Sequence, residues 1–116
     1  MLPYVLLTRQ MLPSMLERSC RSGIINVSSL VMVAPGTPFN SVYAGTKAFD
    51  HSFSKGLTYE ASKNVDVMCL RPSLVESNMS KLKKGVAAIG ALDCAKGTLD
   101  KLGWDVTTEG PWLHVL

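Results

Sequence analysis

The 116-residue chain predicts an α/β protein, a small parallel sheet of about three strands with flanking helices. Three observations carry that expectation. Helix-period and strand-like segments alternate in the order helix, strand, helix, strand, helix, strand, the order of a parallel sheet with helical crossovers. The two clearest strand-like segments are short apolar runs rich in β-branched residues, the pattern of strands inside a covered sheet. The longest segment between them has apolar residues at helical spacing. No internal repeat or low-complexity stretch interrupts the chain, and its length suits one domain.

Apolar residues at 2, 5, 6, 12, 15 and 16 predict a first helix over Leu2–Leu16. Pro3 is tolerated in a first turn, whereas Pro13 should kink the helix or end its regular bonding. A polar stretch closing on Gly23 is a stop signal. Residues 24–28, Ile-Ile-Asn-Val-Ser, read as a strand buried on both faces. Residues 29–40 form a loop with Pro35, Gly36 and Pro38, and Asn40 or Ser41 is suited to cap the next helix. Apolar positions 42, 49, 53 and 57, with Ala44, Ala48 and Ala61 between them, predict that second helix over 42–63. Asn64 can take the left-handed conformation that closes it. Val65–Leu70 is the second strand, with Val65, Val67 and Cys69 alternating against Asp66, Met68 and Leu70. Residues 71–90 are irregular, with a short helix near 77–84. A further helix spans 92–102 and ends at Gly103, and residues 112–116 form a short last strand after Gly110 and Pro111.

Composition removes several function classes. A net charge of +3, with its densest basic cluster only Lys81, Lys83 and Lys84, does not argue for nucleic acid. Cys20, Cys69 and Cys94 fit neither a metal-ligand spacing nor a disulfide framework and read as free thiols of a reducing compartment. His51 and His114 have no ligand partners nearby in sequence, so no metal site is expected. The apolar N-terminal run is broken by Arg9 and Gln10, short of the roughly 20 residues a membrane span needs. It also lacks the positive start of a signal peptide.

The chemistry gathers in three places: Asn26-Val27-Ser28-Ser29 at the end of a strand, Tyr43-Ala44-Gly45-Thr46-Lys47 in the first turns of a helix, and Arg71-Pro72-Ser73-Leu74-Val75-Glu76-Ser77 after the next strand. Tyr43 and Lys47, four apart, share one helix face. An ammonium beside a phenol favours the phenolate, and a phenol so tuned can exchange a proton with a substrate oxygen. Ser29 lies beyond the carboxyl end of a strand, where parallel-sheet folds bind ligands, and its hydroxyl could hold a carbonyl oxygen. A Tyr–Lys pair or a loop serine alone is commonplace. Their order carries the reading: serines ending an apolar strand, a turn-rich loop, the Tyr–Lys pair opening a helix, then an apolar strand ending at Pro72.

With these residues the sequence resembles the short-chain dehydrogenase/reductase family. The matching stretches are IINVSS, YAGTK and LRPSLVES, in the family's order. RQMLPSMLERS, KAFDHSFSKGLTYE and EGPWLHV resemble its 17β-hydroxysteroid dehydrogenase and very-long-chain 3-oxoacyl-CoA reductase branch. The resemblance covers essentially the whole chain, residues 1–116, but only the C-terminal half of a doubly wound, Rossmann-type domain. It implies an oxidoreductase using NADP or NAD to reduce a carbonyl, or oxidise an alcohol, on a hydrophobic substrate such as a steroid or a 3-oxoacyl-CoA. Tyr43 would be the general acid/base, Lys47 would bind the nicotinamide ribose, and Ser29 would orient the carbonyl, with Ser28 the weaker candidate for that role. Pro72, Val75 and Ser77 would line the nicotinamide end of the cofactor. The resemblance further implies a possible homodimer through helix 42–63 and a cytoplasmic or endoplasmic-reticulum-associated location.

The departures from the family pattern shape the expectations for this chain. Ser73 stands where the family usually has Gly, and Ser77 replaces a common Thr. The interval from Ser29 to Tyr43 is one residue longer than usual. The family's catalytic Asn would fall just before Met1, and the chain holds no TGxxxGxG-like turn to seat a pyrophosphate on a helix N-terminus. An uncovered sheet edge and apolar face are therefore expected, with marginal stability or oligomerisation, nucleotide binding that is weak or absent, and no activity from these 116 residues alone. Two further explanations are compatible with the sequence. The chain is a non-catalytic family member that associates with a full-length partner, or it is an incomplete gene product whose remainder lies upstream.

Overall fold

Two elements form with the bounds their patterns predict: the first helix, α1, over Leu2–Leu16 and the second strand, β2, over Val65–Leu70. The computed structural model describes residues 1–33, 38–61, 64–81, 83, 85 and 88–111. Between α1 and β2 lie strand β1 (Ser22–Val27), a single 3-10 turn (Leu30–Met32) and helix α2 (Ser41–Glu60). Helix α3 (Ala91–Leu99) and strand β3 (Thr107–Thr108) come after β2. The sheet order is β1-β2-β3 and both pairings are parallel. In register, Ser22 pairs with Val65, Ile24 with Val67 and Asn26 with Cys69. These side chains share one sheet face because alternate residues point the same way.

That face is covered by α2 and the C-terminal end of α1. Met15, Leu57, Val65 and Val67 form the buried apolar cluster, with Leu12, Leu16, Ile24, Phe53 and Ala61 packed around it. On the opposite face the turn after α3 presses on β1. A Cβ built on Gly23 would sit 2.7 Å from Leu102 Cδ2, so the glycine keeps the close approach open. Strand β2 lies between two neighbours, and Val65 and 67–70 are all buried.

Several expectations are corrected. Strand β1 stands at the expected uncovered sheet edge, but it is not buried on both faces: Asn26 is its one buried residue and Val27 is exposed. The apolar side of α1 is largely uncovered, with Leu2, Leu6 and Leu7 exposed. A groove of about 530 Å³ runs between α1 and the β1 edge, lined by residues such as Tyr4, Leu7, Met11 and Ile25. The buried stripe of α2 is Asp50, Ser54 and Leu57; of the expected positions 42, 49, 53 and 57, Leu57 is in the core and Phe53 packs against it, Phe49 stacks on Phe53, and Val42 is 81% exposed. Asn64 does not close α2. The helix ends at Ala61 in extended backbone, and the Asn64 carbonyl accepts the Ser22 amide instead. Around Ser77 to Lys81 there is one turn rather than a helix. The helix expected at 92–102 stops at Leu99 and gives way to turns reaching Gly103 at φ +88°. The third strand is Thr107–Thr108; the strand expected at 112–116 lies outside the described residues.

Candidate functional site

The carboxyl ends of β1 and β2 and the first turns of α2 meet at one place, and identifiable hydrogen bonds hold them there. Past β1, the Ser28 amide donates to the Leu70 carbonyl (2.7 Å), extending the ladder by one residue. The Ser28 hydroxyl, buried, donates to the Lys47 carbonyl of α2 (2.6 Å). In return the Lys47 ammonium donates to the Val27 carbonyl (2.7 Å). The Leu30 amide donates to the Pro72 carbonyl (3.1 Å), which joins the loop after β2 to the turn after β1. The three motifs of the sequence are thereby sewn together at the strand ends, where a parallel sheet opens its ligand crevice.

Ser29 is the first residue beyond this ladder. Its Oγ accepts the Val31 amide (3.3 Å) and starts the 3-10 turn that packs against α2. A hydroxyl in that role keeps its own proton to donate. The Ser28 hydroxyl instead gives its proton to the Lys47 carbonyl. Tyr43 is in the first turn of α2 and 44% exposed. Asn40 caps that helix through backbone only, its carbonyl accepting the Ala44 amide. One turn on, the Lys47 ammonium lies 5.8 Å from the centroid of the Tyr43 ring, within cation–π range. The sequence-predicted pair thus shares a face and a contact.

Beyond Pro72 the loop is ordered by backbone. Glu76 donates to the Ile89 carbonyl and Ile89 to the Leu74 carbonyl, a parallel bridge centred on Val75. In such a ladder Val75's own N–H faces away from Ile89 and stays a candidate donor. Ser77 is differently employed. Its hydroxyl and amide exchange hydrogen bonds with Ser80, and Ser80 Oγ donates to the Val75 carbonyl (2.7 Å). Such serine-to-backbone bonds offer the chain an alternative to helix, which accounts for the missing helix here.

Two contributors escaped the sequence reading. Tyr4 of α1 donates its hydroxyl to the same Val27 carbonyl (2.9 Å) that holds Lys47. Burial raises its phenol above the ordinary value, with the Lys47 charge acting the other way. No local signal marks Tyr4, since 23 residues separate it from its acceptor. Asp50 is 2% exposed, with Oδ2 3.4 Å from Lys47 Nζ. Its signal was available: Asp50, Ser54 and Leu57 repeat at helical spacing on one stripe. Ser54 accepts from Asn26 Nδ2 (2.9 Å) and donates to the Asp50 carbonyl (2.7 Å). Cys69, beneath them on β2, has its thiol pushed up by burial.

A second polar cluster borders the site. Arg71, just past β2, pairs with Glu109, just past β3. His51 of α2 lies near both. Burial first, then the charges of Arg71 and Lys55, hold its imidazole below the ordinary value. Among the described residues no group of His, Cys, Asp and Glu could hold a metal ion, and no helix is long and apolar enough to cross a membrane.

The donors present suit the ribose and nicotinamide end of a dinucleotide: a phenol, an ammonium with two of its three protons used by protein acceptors, and backbone N–H groups of the loop after β2.

Known proteins resemble this chain in sequence and in fold. The family model described as short chain dehydrogenase matches residues 1–85. The chain is 43% identical over 79 residues to a very-long-chain 3-oxoacyl-CoA reductase of Anas platyrhynchos, covering 67% of this chain and 25% of that protein. Its fold superposes on a 7beta-hydroxysteroid dehydrogenase with a TM-score of 0.72 at 22% identity, over 94% of this chain and 42% of that one. A short-chain dehydrogenase from Sphingobium yanoikuyae, solved in complex with NADPH, gives 0.68 at 24% identity over 88% and 42%. The chain therefore spans about a quarter of the first relative's length and under half of these structures.

Proposed function

Since this chain belongs to the short-chain dehydrogenase family, we propose that residues 1–116 form the catalytic part of a nicotinamide-dependent oxidoreductase that interconverts a carbonyl and an alcohol on a hydrophobic substrate. A steroid or a 3-oxoacyl-CoA is the substrate class, in line with the names of the relatives. One observation carries the reading. The reciprocal bonds of Ser28 and Val27 with Lys47 tie the residue before Ser29 to the helix turn that bears Tyr43.

In reduction, the Tyr43 hydroxyl gives its proton to the carbonyl oxygen; in oxidation it receives the proton of the alcohol. Ser29 donates a hydrogen bond to the same oxygen and holds the carbonyl in place. Lys47 offers its remaining N–H to the ribose of the nucleotide. Pro72 and the Val75 N–H line the nicotinamide side. Ser77 contributes through the turn it builds with Ser80, because its hydroxyl is already engaged. The bound nicotinamide, as NADP or NAD, supplies or accepts the hydride. NADP is preferred because a solved structure of the same fold is an NADPH complex. A homodimer through α2, whose Val42 is exposed, belongs to the same reading.

The test is Tyr43→Phe in the protein that carries this chain, assayed with NADPH and a 3-oxoacyl-CoA or a steroid ketone. Loss of the transferable proton should lower kcat by about 10²–10⁴-fold while the nucleotide Kd holds. Lys47→Ala should impair both. Near-normal turnover by the Tyr43→Phe protein removes the acid/base assignment.

A second reading has its own support. The free edge of β1 and the adjoining apolar groove favour a chain that acts by association with a full-length partner. Coexpression with a full-length relative yields a stable hetero-complex under this reading and none under the first.

A further inference from the structure

The inward stripe of α2 holds a residue that the packing pattern alone would not choose. Asp50 sits one turn before Ser54 and two before Leu57, all three buried against the sheet. Its carboxylate is almost wholly removed from water, with the side chain 3% exposed. A charge in that position is costly unless paired. Oδ1 is buried with no hydrogen-bond partner among the described residues, and Oδ2 faces Lys47 Nζ at 3.4 Å. The surrounding groups come from three elements: Tyr4 of α1, Lys47 of α2 and Cys69 of β2. Lys47 is the sole cation among them, so it is the group that makes the buried carboxylate tolerable.

The relation also runs the other way. A lysine carries a flexible four-carbon stem and a point charge with three rotatable donors. Left alone at a cleft mouth it would sample many rotamers. Here the Val27 carbonyl takes one N–H at 2.7 Å and the Asp50 carboxylate attracts a second. These acceptors belong to different elements, β1 and α2, so together they fix the direction of the third.

We propose that Asp50 is a positioning residue for Lys47: its buried carboxylate and the Val27 carbonyl clamp the ammonium beside Tyr43 and aim its remaining N–H at the nucleotide ribose. The aiming rests on the function proposed above; the clamp does not.

The experiment uses the 116-residue chain with labelled lysine, read by NMR. In the unmodified protein, acid titration of the Asp50 carboxyl should move the Lys47 side-chain signal with the same midpoint. Asp50→Asn should raise the exchange rate of the Lys47 ammonium protons at least about tenfold, as expected on losing a charge-assisted hydrogen bond, and Asp50→Glu should restore part of the protection. A Lys47 signal blind to the Asp50 titration, or unchanged exchange in a folded Asp50→Asn protein, overturns the clamp. The titration needs no variant, so a failure of Asp50→Asn to fold does not shelter the proposal. Added NADPH tests the aim separately, in the protein that carries this chain. It should shift the Lys47 signal in the unmodified protein, and at equal NADPH the shift should be at least about threefold smaller in Asp50→Asn, in proportion to the orientational loss. No shift in an unmodified protein that binds NADPH overturns the nucleotide role of Lys47, whatever the clamp does.

Discussion

The interface between α2 and the sheet has two unlike ends. Toward the amino ends of the strands, Leu57 meets Met15, Val65 and Val67 in an apolar cluster. Toward their carboxyl ends, the same helix face carries Asp50 paired with Lys47, and Lys47 bonded to Ser28 and the Val27 carbonyl. Ser54 is the transition, fully buried and bonded on both sides. The apolar end stabilises by removing surface from water and tolerates small shifts of shape. The polar end gains little net energy per bond, but it loses much when one partner is removed. What it provides is direction, because each bond admits a narrow geometry. Chemistry requires groups that are aimed, and here the aimed groups lie at the strand ends where the ligand crevice opens.

Removing parts from each end sharpens this contrast. The largest expected effect is at the apolar end: Leu57→Ala should cost about 2–5 kcal/mol, seen as a lower midpoint in thermal or urea unfolding. Val42→Ala on the exposed side of the same helix should stay within about 0.5 kcal/mol. Equal effects at the two positions would mean that the cluster does not hold the fold. Next is the transition. Ser54→Ala strands the Asn26 amide without its acceptor and should cost about 1–3 kcal/mol, more than its small change in volume suggests. A neutral result by the same unfolding assay would show that the network is relaxed by water.

The smallest effect is a pH dependence at the neighbouring cluster. The folded state holds His51 below its ordinary value near 6.5, through burial and then the charges of Arg71 and Lys55. Below that value the unfolded chain binds more protons than the folded one. The stability that neutral His51 contributes is therefore present above about pH 6.5 and declines as pH falls from there toward the folded value. Unfolding midpoints taken between neutral and mildly acidic pH should fall less in His51→Gln than in the unmodified chain. Identical slopes would assign the acid loss to other groups.

The contrast also explains which features could be read in advance. Elements made of apolar residues at regular spacing were legible. Helix α1 stops where the polar stretch begins, and β2 is bracketed by Asn64 and the Arg71-Pro72 pair. The third strand was not, because Thr107–Thr108 is too short and polar to carry a pattern. It is a strand only by virtue of pairing with Cys69 and Leu70. The helix expected near Ser77 failed because Ser77 and Ser80 satisfy backbone groups with their own side chains. At the site, the Tyr43–Lys47 contact was legible as a spacing. Asp50 was overlooked because a reading that counts apolar residues passes over a buried carboxylate on the same stripe.

By itself the sequence determined the order of elements, the β-branched strand runs, and the helix turn that puts Tyr43 and Lys47 on one side. All of these depend on neighbours within a few residues and arise from local sterics and periodicity. Only the tertiary structure decided that Tyr4 and Lys47 would share the Val27 carbonyl, that Asn26 would meet Ser54, and that Leu30 would bond to Pro72. Such bonds join groups far apart along the chain. Their geometry is set by how whole elements pack, and no short stretch of letters contains it.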